Sequence, residues 1–404
     1  MVKSFEFSDG IKDLYPSEPA GIYVHIPFCI QKCSYCDFYS ITDTSPRSAF
    51  IDALVHEMHL KSNFAEKFDT LYIGGGTPSV FDAVTIGRIV AAARRSFQIL
   101  ADAEITLEVN PGTLSAEDFD GYRSAGINRL SIGVQSFNPL NLDFLGRIHT
   151  SSDASRAVQG ARDAGFENLS LDLIYGIPGQ TATAWIKDLQ RALEFEPAHL
   201  SCYMLTYEPG TPLDAGRQKG RFRPLPEGDV SNLFEVTAAV LDSRGYAQYE
   251  ISSFARTGPG RSGKGCCGQN RSRHNRKYWS FVSYLGLGPS AHSFKEPRRC
   301  WNQPHVNHYI KALAAGRFPP AAKEVLSRSQ LMIEAIYLGL RQTEGICLEA
   351  FAEKFGVSFK RRFGDTLQDL QDRGLIRFTQ NCCALTRQGL LLLDSIVSML
   401  VSQI

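Results

Sequence analysis

The sequence predicts an α/β fold: a partial, TIM-like (βα)6 barrel followed by a small C-terminal domain of α-helical, winged-helix-like character. Three observations carry this. Six short apolar runs each precede a segment of helical pattern. Several of the helical segments open on Ser, Thr or Asp, residues that cap helix N-termini. An internal echo repeats at the length of one βα unit: Ala125-Gly126 precedes Leu130-Ser131, and 39 residues later Ala164-Gly165 precedes Leu169-Ser170.

The strand-like runs are Ile22–His25, Thr70–Ile73, Ile105–Val109, Arg129–Ile132, Leu169–Ile174 and His199–Leu205. Between them lie helices at Ser48–Ser62, Ala83–Ser96, Ser115–Ser124, Asp153–Ala164 and Thr183–Glu194. Strands alternating with helices imply parallel pairing, because a parallel crossover needs a helix-length connection. The glycines of the echo read as helix C-caps ahead of a new strand. A functional site is expected at the C-terminal ends of the strands.

A longer helix is expected at Val230–Arg244, and the Gly-, Ser- and Arg-rich stretch Arg256–Arg273 reads as a loop. From about Leu326 the composition shifts: helices at Gln330–Arg341, Leu348–Phe355 and Phe363–Arg373, strands at Ile376–Thr379 and Cys383–Thr386, and a last helix. The expected divisions are a 1–20 extension, a 21–250 barrel, a 251–325 region of linker and His-Asn-x-x-Tyr-Trp motif, and a 326–404 C-terminal domain. The order of the last part resembles a winged helix. Basic Lys354, Lys360, Arg361 and Arg362 suit nucleic acid or a solvated helix face, and a cap or interaction role without nucleic acid is the preferred reading.

The 404 residues carry a net charge of +1, with 43% hydrophobic and 21% charged residues. Such a balance is ordinary for a globular chain and argues against bulk electrostatic capture of nucleic acid. Residues 1–20 lack the apolar core of a signal peptide. The apolar stretch Leu390–Val401 is shorter than the about 20 residues that cross a bilayer. A reducing cytoplasm is therefore expected, where ten cysteines favour metal or catalytic roles over disulfides.

The chemistry-bearing pattern is Cys29-x3-Cys33-x2-Cys36, directly after the first strand. Three thiolates in eight residues can each hold one corner of a [4Fe-4S] cubane and leave the fourth iron open. S-adenosylmethionine can occupy that position through its amino and carboxylate groups, and an electron from the cluster would then cleave its sulfonium to a 5′-deoxyadenosyl radical. The alternatives are unrelated thiols or a zinc site with His25 as nearest fourth ligand. Gly74-Gly75-Gly76-Thr77-Pro78 follows the second strand, as a tight turn or as backbone open to a ligand's carboxylate and amine. Glu108 ends the third strand, where it suits an ammonium, ribose hydroxyls or a structural salt bridge.

The segment Tyr23 to Phe38, which holds the three cysteines and Tyr35, resembles the radical SAM superfamily. It is closest to the branch that includes oxygen-independent coproporphyrinogen III dehydrogenase and a heme chaperone, and the resemblance extends from about Gly21 into the C-terminal domain. It implies that Gly75, Gly76, Thr77 and Glu108 contact S-adenosylmethionine. Tyr23, Tyr35, Gln135 (in Ser131–Phe137), Arg147 (in Leu145–His149) and Asp172 (in Leu171–Gly179) are implied to do the same. Gln135 and Asp172 can bond hydroxyls, and Arg147 can pair with a carboxylate.

Within that branch the decarboxylating enzyme carries a fourth cysteine two residues after the third. Here Asp37-Phe38 follows Cys36, as in the chaperone. His274-Asn-Arg-Lys-Tyr278-Trp279 resembles the chaperone's heme-linked motif, with His274 as axial ligand, Tyr278 and Trp279 on the porphyrin face, and His292 as a second ligand candidate. The expected function is heme binding and delivery to a hemoprotein or respiratory-chain acceptor, with peripheral membrane contact. Coproporphyrinogen III dehydrogenation and tetrapyrrole methylation are the alternatives, and no catalytic residue is assigned. Cys266-Cys267 reads as an exposed insertion or a redox or metal pair, and its neighbours Arg261, Lys264, Arg271 and Arg273 suit propionates or an anionic surface.

Overall fold

A computed structural model describes residues 18–114, 116–258 and 270–404. Residues 1–17 of the expected extension, Ser115, Arg261, Lys264 and Cys266-Cys267 lie outside the described residues.

Six strands build the core: β1 (Ala20–Ile26), β2 (Phe68–Gly75), β3 (Ile99–Val109), β4 (Arg129–Gln135), β5 (Asn168–Tyr175) and β6 (His199–Met204). They pair in parallel in sequence order, so every expected strand is present. Between them run α1 (Arg47–Leu60), α2 (Ala83–Ser96), α3 (Ala116–Ser124), α4 (Pro139–Leu145), α5 (Ser151–Asp163) and α6 (Ala182–Leu193). Local chemistry explains their ends. Asp82 caps α2 by accepting from the Thr85 N–H, and Thr150 and Asp153 form a reciprocal box at the start of α5. Gly126 and Gly165 take φ of +96° and +80°. At each, the next residue's N–H reaches back five positions (Ile127 to Tyr122, Phe166 to Ala161), which makes both ends of the echo Schellman caps.

The region expected as a linker is largely ordered into the same sheet. After α7 (Pro212–Gln218) and α8 (Glu227–Asp242) come β7 (Tyr246–Gln248), β8 (Ser253–Arg256), α9 (Arg273–Trp279), β9 (Tyr284–Leu287), β10 (His292–Lys295), β11 (Arg298–Asn302), α10 (Val306–Ala314) and β12 (Ala321–Val325). β9 adds parallel to β1, and the full order is β12-β11-β10-β9-β1-β2-β3-β4-β5-β6-β8-β7. The order ends on two edges, so the barrel is partial.

The C-terminal part holds α11 (Arg328–Arg341), β13 (Ile346–Cys347), α12 (Leu348–Phe355), α13 (Phe359–Asp372), β14 (Ile376–Phe378), β15 (Cys382–Leu385), α14 (Arg387–Leu391) and α15 (Leu393–Val401). The expected helix starting at Phe363 begins a turn earlier and kinks at Phe363, and the expected last helix breaks at Leu392. Phe351 meets Phe355 and Phe359, and Phe359 meets Phe363, in tilted or edge-on contacts at 4.8–5.0 Å between ring centres within this unit's core. Three of the four basic residues named above have partners: Lys354 pairs with Glu296, Lys360 lies over Phe378, and Arg362 donates to the Gln403 carbonyl. Among the described residues no helix is long and apolar enough to cross a membrane.

Candidate cofactor site

Alternation along the six strands sorts side chains to two faces. Ile22, Val24, Ile26, Leu71, Ile73, Ile105, Leu107, Leu130, Ile132, Leu169, Leu171 and Leu173 are buried in the apolar core that includes residues of the flanking helices. The alternate positions turn inward and are polar: Tyr23 and His25; Thr70 and Tyr72; Glu104, Thr106 and Glu108; Arg129 and Ser131; Ser170 and Asp172; His199, Ser201 and Tyr203. A Cβ built on Gly21 meets Thr70 and His274, and one on Gly74 meets Glu108 and Tyr72, so both glycines open the same lumen. Strands buried on both faces usually read as continuous apolar runs. A polar lumen is the departure that marks a binding site.

The three cysteines lie in the loop that leaves β1. Phe28 bridges to Ile41 and closes the loop's base, where Cys29 N–H donates to the Ile41 carbonyl. The loop tip is held from outside by Ser34, whose N–H donates to the Leu145 carbonyl and whose own carbonyl accepts from Leu213. Beta-strand 2 is stitched to the same loop: Gly76 N–H donates to Ile26 at 2.7 Å and Thr77 N–H to Phe28 at 2.8 Å. A Cβ on Gly76 would sit 2.7 Å from the Phe28 oxygen and 3.1 Å from Cys29 Sγ, so this approach requires glycine. Thr77 Oγ1 donates to Cys29 Sγ at 3.5 Å, and Arg147 Nη1 donates to Cys33 Sγ at 3.3 Å. Arg147 is fixed by a second bond from Nη2 to the Gly133 carbonyl at 2.8 Å. Tyr35 is half-buried beside Arg147, and desolvation raises its phenol pKa above the ordinary value. Burial likewise pushes the Cys36 thiol up to about 11, so ligation there would displace a proton. Ile30 and Phe38 flank the cysteines at 57% and 63% exposure, an apolar rim around the loop.

Deeper in the lumen, Glu108 accepts from the Tyr72 hydroxyl at 2.7 Å and from the Gly75 N–H at 3.1 Å. Burial outweighs both bonds and raises its carboxyl pKa to about 7. Gly75 itself takes φ of +112°, and a Cβ there would lie 2.5 Å from His25 Nδ1. His25 Nε2 pairs with the Tyr39 carbonyl at 2.8 Å, so that nitrogen carries the hydrogen and Nδ1 accepts from Tyr23 at 3.1 Å. Both nitrogens are therefore committed, and burial lowers the imidazole to about 4. His25 is not free to be the fourth ligand of a zinc site. Asp172 accepts from Ser131 at 3.2 and 3.0 Å, and burial raises its carboxyl. Gln135 ends β4 with φ of +65°, on the same strand as Gly133, which holds Arg147.

These residues fit a [4Fe-4S] cluster and S-adenosylmethionine. The loop presents three thiols and no fourth cysteine. Among the described residues no three His, Cys, Asp or Glu side chains converge on a single metal ion. Buried Arg147 Nε, Arg129 Nε and Thr106 Oγ1 lack hydrogen-bond partners. They are groups that a carboxylate or hydroxyl-bearing ligand can satisfy. Arg129, Tyr72 and Tyr203 were missed in the sequence reading. Their signal was the period-two run of polar residues inside strands expected to be apolar.

His274 lies apart from the cysteines. Helix α9 plugs the opposite, N-terminal end of the lumen. The His274 ring is 1% exposed, bonds Thr70 Oγ1 through Nδ1 and the Tyr278 hydroxyl through Nε2, both at 2.8 Å, and stacks on Tyr72. Burial, helped by the charges of Lys277 and Arg129, lowers it to about 3. Lys277 pins the helix to Asp69 at 2.6 Å. Tyr278 packs edge-on against Tyr284, and the Trp279 carbonyl accepts from Gln342. Arg271 and Arg273, expected to meet anions, pair instead with Glu344 and Asp69. His292 is the exposed one, its ring parallel to Trp301 at 5.5 Å.

The sequence profile of the Radical SAM superfamily matches residues 23–192, and that of the HemN C-terminal domain matches residues 326–392. The chain is 36% identical to the heme chaperone HemW of Bacillus subtilis over 92% of this chain and 96% of that protein. It is 33% identical to that of Mycobacterium tuberculosis over 96% of each. The structure of coproporphyrinogen III oxidase (HemN) from Escherichia coli, described as a radical SAM enzyme, superposes with a TM-score of 0.79. It is 26% identical and covers 96% of this chain and 92% of that one. A three-cysteine loop over a polar half-barrel and end-to-end similarity of this extent have one reading: the chain belongs to the radical SAM superfamily, in the family of the heme chaperone HemW.

Proposed function

We propose that this protein binds heme and passes it to a hemoprotein acceptor, and that it carries a [4Fe-4S] cluster on Cys29, Cys33 and Cys36 with S-adenosylmethionine at the open iron. The observation that carries the reading is the match to heme chaperones along nearly the full length of both chains. The absence of a fourth cysteine after Cys36 agrees with it. When bound, the cluster supplies a low-potential electron and a Lewis-acidic iron beside the polar lumen. The chain's own part is to orient the ligand: Arg147 and Gln135 beside the loop, the Gly75 and Gly76 backbone against the ligand, Glu108 toward an ammonium, and Tyr23 and Asp172 deeper in the lumen. The helices around the half-barrel and the α9 plug limit water access from the other sides.

For heme, the geometry sets a condition. His274 reaches heme iron only if α9 withdraws from the lumen and both ring bonds break. His292 needs no such movement, and Trp301 offers its indole as a packing face. Titrating the reconstituted protein with hemin and following the Soret band in the parent, His274→Ala and His292→Ala tests the reading. Saturable binding weakened by one of the substitutions supports it. Absence of saturable binding in the parent overturns it. A second reading rests on the HemN superposition: oxidative decarboxylation of coproporphyrinogen III. Anaerobic protein given that substrate, S-adenosylmethionine and a reductant distinguishes the two, since formation of protoporphyrinogen IX would replace the chaperone reading.

A further inference from the structure

We propose that Cys347 and Cys382 form a reversible disulfide across the small C-terminal sheet, separate from the cluster loop. Strands β13 and β15 are antiparallel, with Ile346 opposite Cys383 and Cys347 opposite Cys382. The N–H of Leu348 donates to the carbonyl of Asn381 at 2.8 Å, which makes the next pair along the ladder a hydrogen-bonded one. Pairs alternate along an antiparallel ladder, so Cys347 and Cys382 occupy a non-hydrogen-bonded pair. There the Cα atoms stand about 4.5 Å apart and the side chains leave the same face toward each other. Disulfides span Cα separations of about 4.4–6.8 Å, so this pair falls at the short end of what the bond bridges.

Access and neighbours favour this pair over the other thiols nearby. Cys347 is exposed and Cys382 half-buried, whereas the adjacent Cys383 is buried. Burial also pushes the Cys383 thiol up to about 12. Asn381 Nδ2 lies 3.6 Å from Cys347 Sγ and donates to Glu349, which keeps the amide beside the sulfur. A bond at the short end of the range and open to solvent is readily reduced, the character of a regulatory rather than a structural disulfide.

The chemistry is thiol–disulfide exchange with a low-molecular-weight disulfide as oxidant. The Cys347 thiolate attacks oxidised glutathione, forming a mixed disulfide and releasing one glutathione. The Cys382 thiolate then attacks Cys347 Sγ and expels the second. Two protein thiols become one disulfide, and their two protons leave on the two glutathiones. The bond fastens β13 to the hairpin of β14 and β15. Beta-strand 13 follows a segment that docks this domain on the barrel: Thr343 N–H donates to the Tyr249 carbonyl, Gln342 donates to the Trp279 carbonyl at the end of α9, and Arg377 of β14 donates to the Thr343 carbonyl. The modification therefore bears on the joint beneath the lumen plug.

The test uses the full chain, reconstituted under anaerobic conditions and equilibrated with graded ratios of oxidised to reduced glutathione. It is then acid-quenched, alkylated, digested and mapped by mass spectrometry. A linked peptide pair whose fragment ions place the bond between Cys347 and Cys382, disappearing with dithiothreitol and absent in Cys347→Ser, is the expected result. Cys347 that stays alkylatable across the series, carries only glutathione, or links to Cys383, Cys266 or Cys267 overturns the proposal.

Discussion

Arg147 donates to the sulfur of Cys33 over 3.3 Å, although the two residues stand 114 apart in the chain. The contact joins the end of α4 to the cysteine loop, and the second bond to the Gly133 carbonyl leaves the guanidinium little freedom. A guanidinium fixed in this way orients the sulfur it bonds, the role of a group that hydrogen-bonds a metal ligand.

Replacing Arg147 therefore weakens the centre without unfolding the barrel. Arg147→Ala is expected to lower cluster retention roughly ten-fold, the lower end of the effect of removing a group that hydrogen-bonds a metal ligand. Arg147→Lys restores it only in part, since one ammonium cannot reach both Cys33 and Gly133 in fixed geometry. Iron and sulfide per chain after anaerobic reconstitution and gel filtration, with circular dichroism as the folding control, check this outcome.

Glu108 sets a pH dependence. With a carboxyl near 7 it is largely protonated at pH 6 and ionised at pH 8. Affinity for the cationic S-adenosylmethionine is expected to rise across that interval, and Glu108→Gln is expected to flatten the profile. Its effect on stability has the opposite sense: a folded pKa above the ordinary 4.5 favours the fold at low pH and ceases to do so as pH rises through about 7. Calorimetric titration of parent and variant between pH 6 and 8 reads the first effect, and a parent profile as flat as the variant's would remove Glu108 from the ligand site.

His274 acts in the other direction. Its folded pKa, near 3, lies below the ordinary 6.5, so the unfolded chain takes up the proton first as pH falls. Stability from this group is complete above about pH 6.5 and declines toward pH 3, by roughly 2 kcal/mol at pH 5. His25, lowered to about 4, adds to the same trend. His274→Gln keeps a donor and an acceptor but does not titrate. Its urea midpoint should fall less than the parent's between pH 7 and 5, and equal slopes would show that the ring is not held neutral.

Two glycine substitutions should have opposite signs. Gly76→Ala drives a methyl into the Phe28 and Ile26 carbonyls that hold the cysteine loop, at a cost of roughly 1–3 kcal/mol and with loss of iron. Gly87→Ala, in α2, meets only the Ala125 methyl at 3.6 Å, and in a helix interior the change stabilises by up to about 1 kcal/mol. Urea unfolding of both, with iron content for the first, checks the pair.

Arg341→Met leaves Glu250 buried without its partner at 2.9 Å. Because Arg341 is a quarter exposed, a loss of roughly 1–3 kcal/mol is expected rather than the larger figure for a fully buried pair. Faster proteolysis between the barrel and the C-terminal domain is the measurement.

The sequence by itself determined the framework. The apolar runs, the Ser, Thr and Asp caps and the glycine echo act over a few residues, and each of the six core strands and the Schellman ends at Gly126 and Gly165 stands where those local signals put it. The three cysteines were equally plain, because a cluster loop needs only short-range spacing. Tertiary structure decided what depends on contacts between distant residues. It placed Arg147 on Cys33 and Tyr72 on Glu108, extended the sheet through β9–β12 in a region where no strand was expected, and turned His274 inward. An imidazole beside two aromatic residues has the same sequence whether it faces solvent or a lumen. Burial and the partners Thr70 and Tyr278, brought together only when α9 docks on the strands, make the difference.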